Sequence, residues 1–225
     1  MEINEGTFIR ISYSVSSGGQ LFDTTDEAAA REANIYSEAA IYGPVIICVG
    51  QKHVVLGLDE ELVGKEAGTE GDVAVPPEKA FGKHDPKRVQ SYPKNTFTQK
   101  PVKGMTVKLD KVGEGRVADI IGSKVIVDFN APLAGLTLNY HYKIEEIVED
   151  PLEQFKGIVR LYTGKEMEVS FLDDKVTIML QPEYSMNRQW LLWRSRIITE
   201  CFEQIPAISE IALVESIKRP EKKAE

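Results

Sequence analysis

The first candidate for chemistry is a carboxylate that follows two apolar residues. Asp23 comes directly after Leu21-Phe22, and the segment from Phe8 to Val15 alternates as a half-buried strand does. Two strands that meet through Gly18-Gly19 would bring Asp23 to the point where the second strand enters the interior. A carboxylate in that place must be hydrogen-bonded to be tolerated.

The same carboxylate has a second interpretation. Residues 26–32 begin with acids and are rich in helix formers, which predicts a helix that starts after Thr24 or Thr25. Asp23 could then cap that helix. The spacing alone leaves the capping role and a role in a binding site equally open.

The other polar residues show no spacing typical of an enzyme that uses a metal ion, a bound nucleotide or a nucleophilic side chain. The histidines His53, His84 and His141 are scattered, and the sequence contains no zinc-binding spacing, no phosphate loop and no nucleophile elbow. We therefore predict no cofactor and no metal site. We expect His53 and His141 to face solvent.

Composition and charge exclude several classes of protein. The chain has 225 residues, a net charge of -8 and a pI near 5.1, whereas general binding to nucleic acids needs a basic surface. We predict no membrane span and no signal peptide, because no apolar run is long enough and the first residues carry no basic region. Cys48 and Cys201 lie in separate apolar runs, which favours buried free thiols and a cytoplasmic location.

The first part of the chain predicts strands around one short helix. Residues 45–49 are an apolar run typical of a buried strand. Leu58 and Leu62 are four residues apart, so a short helix would place both on one face. We expect the acidic run 59–61 to be a solvated face of this helix.

The middle of the chain predicts a small all-β unit. Short β-like runs are separated by glycine turns, and they cover residues 105–109, 115–121 and 124–129. A longer run at 136–144 alternates strictly, which is typical of a long strand.

Asp150-Pro151 is a natural domain boundary. Beyond it the pattern predicts, in order, a helix at 152–162, a hairpin that turns at Asp173-Asp174, a helix at 184–204, a last strand at 208–217 and a disordered tail from about 219. The long helix carries an apolar stripe of Trp190, Trp193, Ile197 and Cys201, which is either core alone or partly a dimer face.

Five segments together resemble the FKBP-type peptidyl-prolyl isomerases, in particular the long archaeal, SlyD-like branch. They are I-S-Y-S-V (11–15), G-G-Q-L-F-D-T-T (18–25), G-L-D-E-E-L (57–62), V-A-V-P-P-E-K-A-F-G (73–82) and V-D-F-N-A-P-L-A-G-L-T-L-N-Y (127–140). They occur in the order and roughly the spacing of that family.

The resemblance implies an α+β fold, with a curved antiparallel sheet around a short helix. It implies a discontinuous isomerase domain at 1–83 and 130–149, an insert-in-flap chaperone domain at 84–129 and a C-terminal α+β domain at 150–225. The implied activity is cis-trans isomerisation of Xaa-Pro bonds in unfolded chains, which needs no cofactor.

The resemblance also implies a catalytic pocket and a hydrogen bond from the Tyr13 hydroxyl to Asp23. Val55 matches the position whose N–H holds the substrate carbonyl, Leu58 stands where the best-known members carry Trp, and Phe81 stands at a position that is usually Tyr. The residues that would form the pocket are Tyr13, Phe22, Asp23, Val49, Val54, Val55, Leu58, Phe81 and Tyr140.

The insert and the C-terminal domain would bind other chains. In the insert, the residues that would bind exposed apolar segments of clients are Val107, Leu109, Ile120, Ile126 and Phe129. The alternative is that these residues only fill a small core. The C-terminal domain is expected to form a homodimer. The first rival for the whole protein is a non-catalytic or weakly catalytic chaperone on the same fold, and the second is a structural or assembly protein that uses the C-terminal domain.

Overall fold

The computed structural model describes residues 1–110, 112–181, 184 and 187–216. The chain forms two compact units, the first made of Met1–Ala74 and Asn139–Glu225 and the second of Val75–Leu138. The tail that was predicted to be disordered lies outside the described residues. The predicted domain boundaries, which follow the family rather than these two units, stay predictions.

The first unit contains a five-stranded sheet built around β1. Its strands are β1 (Phe8–Ser17), β2 (Gln20–Thr24), β3 (Val45–Cys48), β4 (Glu70–Val75) and β9 (Leu138–Ile147). The order is β2-β1-β9-β4, and β3 pairs with the first half of β1. The α+β class predicted from the sequence is confirmed.

The turn between β1 and β2 is the predicted Gly-Gly turn. Gly18 and Gly19 have φ values of +57° and +80°, a conformation that a two-residue hairpin of this hand requires and that glycine adopts without strain. The register shifts between Val15, which pairs with Asp23, and Ser16, which pairs with Leu21. Phe22 is therefore the extra residue of a β-bulge, a device that re-aims side chains.

Three short 3₁₀-helices (Pro77–Lys79, Pro86–Arg88 and Lys94–Thr96) lie in the second unit, and four α-helices of the first unit are described at both ends. The α-helices are α1 (Glu27–Glu32), α2 (Leu56–Leu62), α3 (Pro151–Thr163) and α4 (Arg188–Gln204). The sequence placed the start of α4 at Tyr184, but the helix begins four residues later. The Asn187 side chain caps it there, because its Oδ1 atom accepts from the Trp190 N–H at 3.1 Å.

A three-stranded sheet follows α3. It consists of β10 (Glu168–Leu172), β11 (Lys175–Leu180) and β12 (Glu210–Glu215), in that order. The hairpin between β10 and β11 turns at Asp173-Asp174 as predicted, and β12 runs parallel to β11.

These C-terminal elements share one core with the large sheet. The buried side chains of this core come from β1 and β3 on one side and from α3, β11 and α4 on the other, and include Phe8, Ile46, Cys48, Phe155, Ile158, Val176, Trp190, Ile197 and Cys201. Trp193, which was predicted in the same stripe, is 40% exposed. Both cysteines are free and buried, as predicted.

The second unit is a four-stranded antiparallel sheet with its own core. Its strands are β5 (Val89–Pro93), β6 (Thr106–Leu109), β7 (Gly113–Ile121) and β8 (Lys124–Asp128), in the order β5-β8-β7-β6. The last three strands match the predicted runs, whereas β5 was not predicted. Among the described residues of the chain, no helix is both long and apolar enough to cross a membrane.

Candidate active site

Tyr13 and Asp23 face each other across β1 and β2. The Tyr13 hydroxyl donates to the Oδ2 atom of Asp23 at 3.3 Å, and the Oδ1 atom accepts from the Thr24 N–H at 2.9 Å. Asp23 is exposed rather than partly buried. Its carboxylate is nevertheless fixed, because both of its oxygens are hydrogen-bonded.

Asp26, and not Asp23, caps α1. The Oδ1 atom of Asp26 accepts from the N–H groups of Ala28 and Ala29 at 2.8 and 3.2 Å. This observation rules out the capping interpretation, and the role of Asp23 in a binding site stays a prediction. Asp23 has no capping role in α1 and is available to a site.

Tyr13 and Tyr140 lie on the same face of the sheet as Asp23. Val15 pairs with both Asp23 and Tyr140 in neighbouring strands, and residues directly opposite each other present their side chains on one face. Tyr13 is two residues from Val15 and shares that face. The rings of Tyr13 and Tyr140 are 6.2 Å apart at 52°, so together they form an aromatic wall beside the carboxylate.

Burial keeps both phenols protonated. It raises the pKa of Tyr13 well above the ordinary value, and the charge of Asp23 and the hydrogen bond to it raise that pKa further. Burial also raises the pKa of Tyr140 to about 12, again with help from Asp23. At neutral pH the Tyr13 hydroxyl is therefore a hydrogen-bond donor.

The segment before α2 supplies further apolar side chains and an amide. Val49 and Leu58 are fully buried, and Val54 and Val55 are half-buried. The Leu58 N–H donates to the Val55 carbonyl oxygen at 3.0 Å. Val55 is the residue before the first residue of α2, so its N–H takes no part in the hydrogen bonds of that helix. This N–H can therefore donate to a carbonyl.

Asp59 holds the loop that leads to this segment. It is 4% exposed, and its two oxygens accept from the N–H groups of Gly50 and Lys52 at 2.9 and 3.3 Å. The expectation that the acidic run 59–61 is a solvated face is wrong for Asp59. A carboxylate one residue after Leu58 can turn inward, because the loop offers it two backbone donors.

The side chain of His53 is buried, contrary to the expectation that it faces solvent. Its side chain is 2% exposed and lies against Glu200 of α4, of which no side-chain surface is exposed. Glu200 was not predicted from the sequence. The available signal was its place on the apolar stripe of α4, between Ile197 and Cys201. His141 is half exposed, as expected.

The other predicted site residues fall in separate places. Phe22 is half-buried in the bulge of β2. Phe81 belongs to the second unit and is 43% exposed, and its place in the pocket stays a prediction. In the insert, Val107 and Phe129 are buried in the core, while Leu109, Ile120 and Ile126 are half-buried.

This arrangement is suited to binding an extended peptide rather than to breaking a bond. Tyr13 and Tyr140 form one aromatic wall beside the Asp23 carboxylate, and the place of Val54 and Val55 in the same site stays a prediction. An aromatic wall beside a few fixed polar groups is a common feature of ligand-binding sites.

The comparisons with known proteins define the class. Residues 1–103 match a family model described as FKBP-type peptidyl-prolyl cis-trans isomerase, and residues 151–218 match one described as FKBP26_C-terminal. The sheet with α2 and the Tyr13–Asp23 pair lies largely within the first match.

The relatives agree with the family models. The short-type peptidyl-prolyl cis-trans isomerase of Methanocaldococcus jannaschii is 30% identical over 148 residues, which are 64% of this chain and 94% of that protein. The isomerase SlyD of Haemophilus influenzae is 30% identical over 159 residues, or 68% and 77% of the two chains. SlyD of Aeromonas hydrophila is 32% identical over 108 residues, which are 46% of this chain and 51% of that protein. The chain belongs to the FKBP-type peptidyl-prolyl cis-trans isomerases.

Proposed function

We propose that the chain isomerises Xaa-Pro bonds of unfolded or proline-containing polypeptides in the pocket beside Tyr13 and Asp23. The observation that carries this proposal is the hydrogen bond between these two side chains, set beside Tyr140 on the face of the sheet. The remaining pocket residues proposed are Phe22, Val49, Val54, Val55 and Leu58, with Phe81 carried over from the family.

The chemistry needs no nucleophile. Rotation about the amide is opposed by a barrier of about 18–20 kcal/mol, because the planar form has partial double-bond character. That character comes with charge separation, which water stabilises. Apolar walls bind the twisted amide, whose charge separation is smaller, better than the planar one, and this difference lowers the barrier. The Val55 N–H holds a substrate carbonyl while the bond turns.

Exchange of a short Xaa-Pro peptide tests this proposal. We expect the intact chain to accelerate cis-trans exchange, and the double variant Tyr13→Phe, Asp23→Ala to lose most of the acceleration. Asp26→Ala is the matched control, because it removes the same charge three residues away. It should lose about 1 kcal/mol of stability with its cap but keep its turnover. No acceleration by the intact chain would leave a chaperone on an isomerase fold.

A groove in the second unit supports client binding by the insert. It has a volume of about 560 Å³ and is lined in part by Phe97, Met105, Leu109 and Val112. Strand β6 borders it and is an edge strand of its sheet, so an extended client can add a strand there. Val107 and Phe129 are core residues that support this surface.

A refolding assay with proline-limited clients tests the insert. Leu109→Ser with Val112→Ser should weaken acceleration of protein refolding and leave short-peptide turnover unchanged. Val102→Ser is the control, because Val102 is 55% exposed and is not among the residues that line this groove. Equal losses in both assays would refute the division of labour between pocket and insert.

The exposed side chains of α4 support a homodimer. Leu191, Leu192, Trp193 and Phe202 are 47%, 61%, 40% and 44% exposed, which is unusual for apolar residues of one helix. Light scattering should give twice the chain mass, and Leu192→Glu should give the monomer. The two buried free thiols support a reducing, cytoplasmic compartment.

A further inference from the structure

Glu200 of α4 is a buried carboxylate with hydrogen bonds at both oxygens. Its Oε2 atom accepts from the Tyr162 hydroxyl at 2.6 Å and lies 3.2 Å from Nε of Arg196. Its Oε1 atom lies 2.5 Å from Nε2 of His53. Burial alone would raise the pKa of Glu200, but the bonds from His53 and Tyr162 and the charge of Arg196 lower it below the ordinary value. Its partners therefore hold the carboxylate in the ionised form.

His53 connects this carboxylate to β3. Its Nδ1 atom accepts from the Cys48 N–H at 3.0 Å, so that nitrogen carries no hydrogen. The ring hydrogen is then on Nε2, which donates to Glu200. Both ring nitrogens are engaged, one by the isomerase sheet and the other by α4. The orientation of the imidazole is fixed from two sides.

The backbone that this ring anchors leads directly into the pocket. Asp59 holds the earlier part of the loop through the N–H groups of Gly50 and Lys52. His53 holds the later part and is followed at once by Val54 and Val55. The place of the Val55 N–H therefore depends on where His53 lies.

We infer that Glu200 is a positioning residue for the isomerase site: it fixes His53, and through it Val54 and Val55. The inference rests on the proposed function, because it takes these two valines as part of the substrate site. It gives the C-terminal domain a role in turnover, in addition to any role in assembly.

The chemistry of the pair agrees with positioning. Burying a charge is costly unless the charge is paired and hydrogen-bonded, and an apolar pair of similar volume is often at least as stable. What a charged, directional bond adds is orientation. With apolar packing in place of Glu200, the Cys48 N–H alone would hold the ring through Nδ1, whereas the bond from Nε2 to Glu200 fixes the ring from a second side.

The test compares kcat/KM on a short Xaa-Pro peptide with the state of the loop. Glu200→Leu should lower kcat/KM about tenfold, as misplaced binding groups do, and should shift the amide resonances of Val54 and Val55. Glu200→Gln should restore most of the activity, because its carbonyl still accepts from His53 Nε2. The ¹⁵N shifts of the His53 ring should show the hydrogen on Nε2 in the intact chain.

Ile197→Ala is the control for loss of stability. Ile197 is buried three residues before Glu200 on the same helix, and its truncation leaves every hydrogen bond of the pair intact. It should lower the denaturation midpoint and leave kcat/KM unchanged. If Ile197→Ala lowers kcat/KM as much as Glu200→Leu does, the effect is one of stability and the inference is overturned.

A double-mutant cycle of Glu200 and His53 decides whether Glu200 acts through the imidazole ring. In a His53→Leu background, adding Glu200→Leu should cause no further loss of kcat/KM, and a loss as large as in the intact chain overturns the inference. If Glu200→Leu alone does not fold, this double variant decides, because it removes the buried carboxylate and its imidazole partner together, although the Cys48 N–H and the Tyr162 hydroxyl lose their acceptors. Its loss of turnover supports the inference, and wild-type turnover overturns it.

The two proposals fail differently. An intact chain without turnover, or one insensitive to the Tyr13→Phe, Asp23→Ala change, rejects the proposed function. An active chain that loses turnover with that change but keeps it in folded Glu200→Leu rejects only the positioning role.

Discussion

Helix α3 meets strand β3 at Gly157, where a Cβ atom would lie 2.6 Å from Cβ and 2.7 Å from Cγ2 of Ile46. No real Cβ atom approaches its neighbours so closely, and Ile46 is itself buried, 8% exposed, within a strand. Helix α3 packs on the five-stranded sheet at this distance only because residue 157 has no side chain.

Gly157→Ala should therefore destabilise the protein, although alanine is the better helix former. The helix gains about 1 kcal/mol of propensity, while overpacking a close contact costs about 1–3 kcal/mol and more where the backbone must move. We expect a net loss in a denaturant titration. Lys156→Ala, at the partly exposed neighbouring position, is the control and should change little. A higher midpoint for Gly157→Ala would show that the contact can relax.

Alkaline pH should destabilise the protein through Tyr140. Its pKa is raised from 10.0 to about 12 in the folded state, so the unfolded state releases this proton first. The contribution of the Tyr140 phenol to the stability of the folded state is complete below pH 10 and is lost as the pH rises toward 12. Tyr140→Phe should flatten this part of the stability curve relative to the intact chain.

Asp23→Asn separates the two causes of that shift. It removes the charge and leaves the burial, so tyrosinate absorbance should appear at a lower pH than in the intact chain. An unchanged titration would mean that Asp23 does not act on Tyr140.

The sequence predicted those features whose signal is local. The hairpin follows from alternation between Phe8 and Val15 and from two adjacent glycines, and its closure brings the Tyr13 hydroxyl within hydrogen-bond distance of Asp23. Strand β5 was missed because it is an edge strand with two half-buried apolar residues, Val89 and Tyr92, and a terminal proline. Such a strand depends on its neighbour β8 rather than on its own pattern.

The His53–Glu200 pair shows what one sequence cannot provide. The two residues are 147 positions apart, and no period relates them. A glutamate on an apolar stripe indicates that a polar partner exists. Which residue is that partner depends on how α4 packs on the sheet. For the same reason His53 gave no sign of burial, since it lies in a short loop between two apolar segments.

Acid should weaken the protein through Glu200. Its folded-state pKa is below the ordinary value of 4.5, so the unfolded state binds the proton first. The contribution is complete above pH 4.5 and is lost as the pH falls through the folded-state pKa. The groups that face this carboxylate are His53, Tyr162 and Arg196.

Denaturation at a series of acidic pH values measures this contribution. The stability difference between the intact chain and Glu200→Gln should shrink as the pH falls below 4.5. Tyr162→Phe removes one of the hydrogen bonds that lower the pKa of Glu200. As the pH falls, this variant should therefore begin to lose stability at a higher pH than the intact chain. A difference that stays constant with pH would contradict the assignment.

Asp59→Ala should loosen the loop before the pocket. It leaves the N–H groups of Gly50 and Lys52 without their acceptor; because both residues are exposed, water can replace part of these bonds, and the loss is about 1 kcal/mol. We expect lower stability, faster hydrogen exchange at both amides and slower turnover of a short Xaa-Pro peptide. Asp59→Asn keeps one carbonyl oxygen and should recover the protection of Gly50 alone, because its NH₂ group cannot accept from Lys52. Hydrogen exchange at these two amides could be as slow in both variants as in the intact chain. In that case the loop is held by its backbone, and Asp59 is not needed to place Val55.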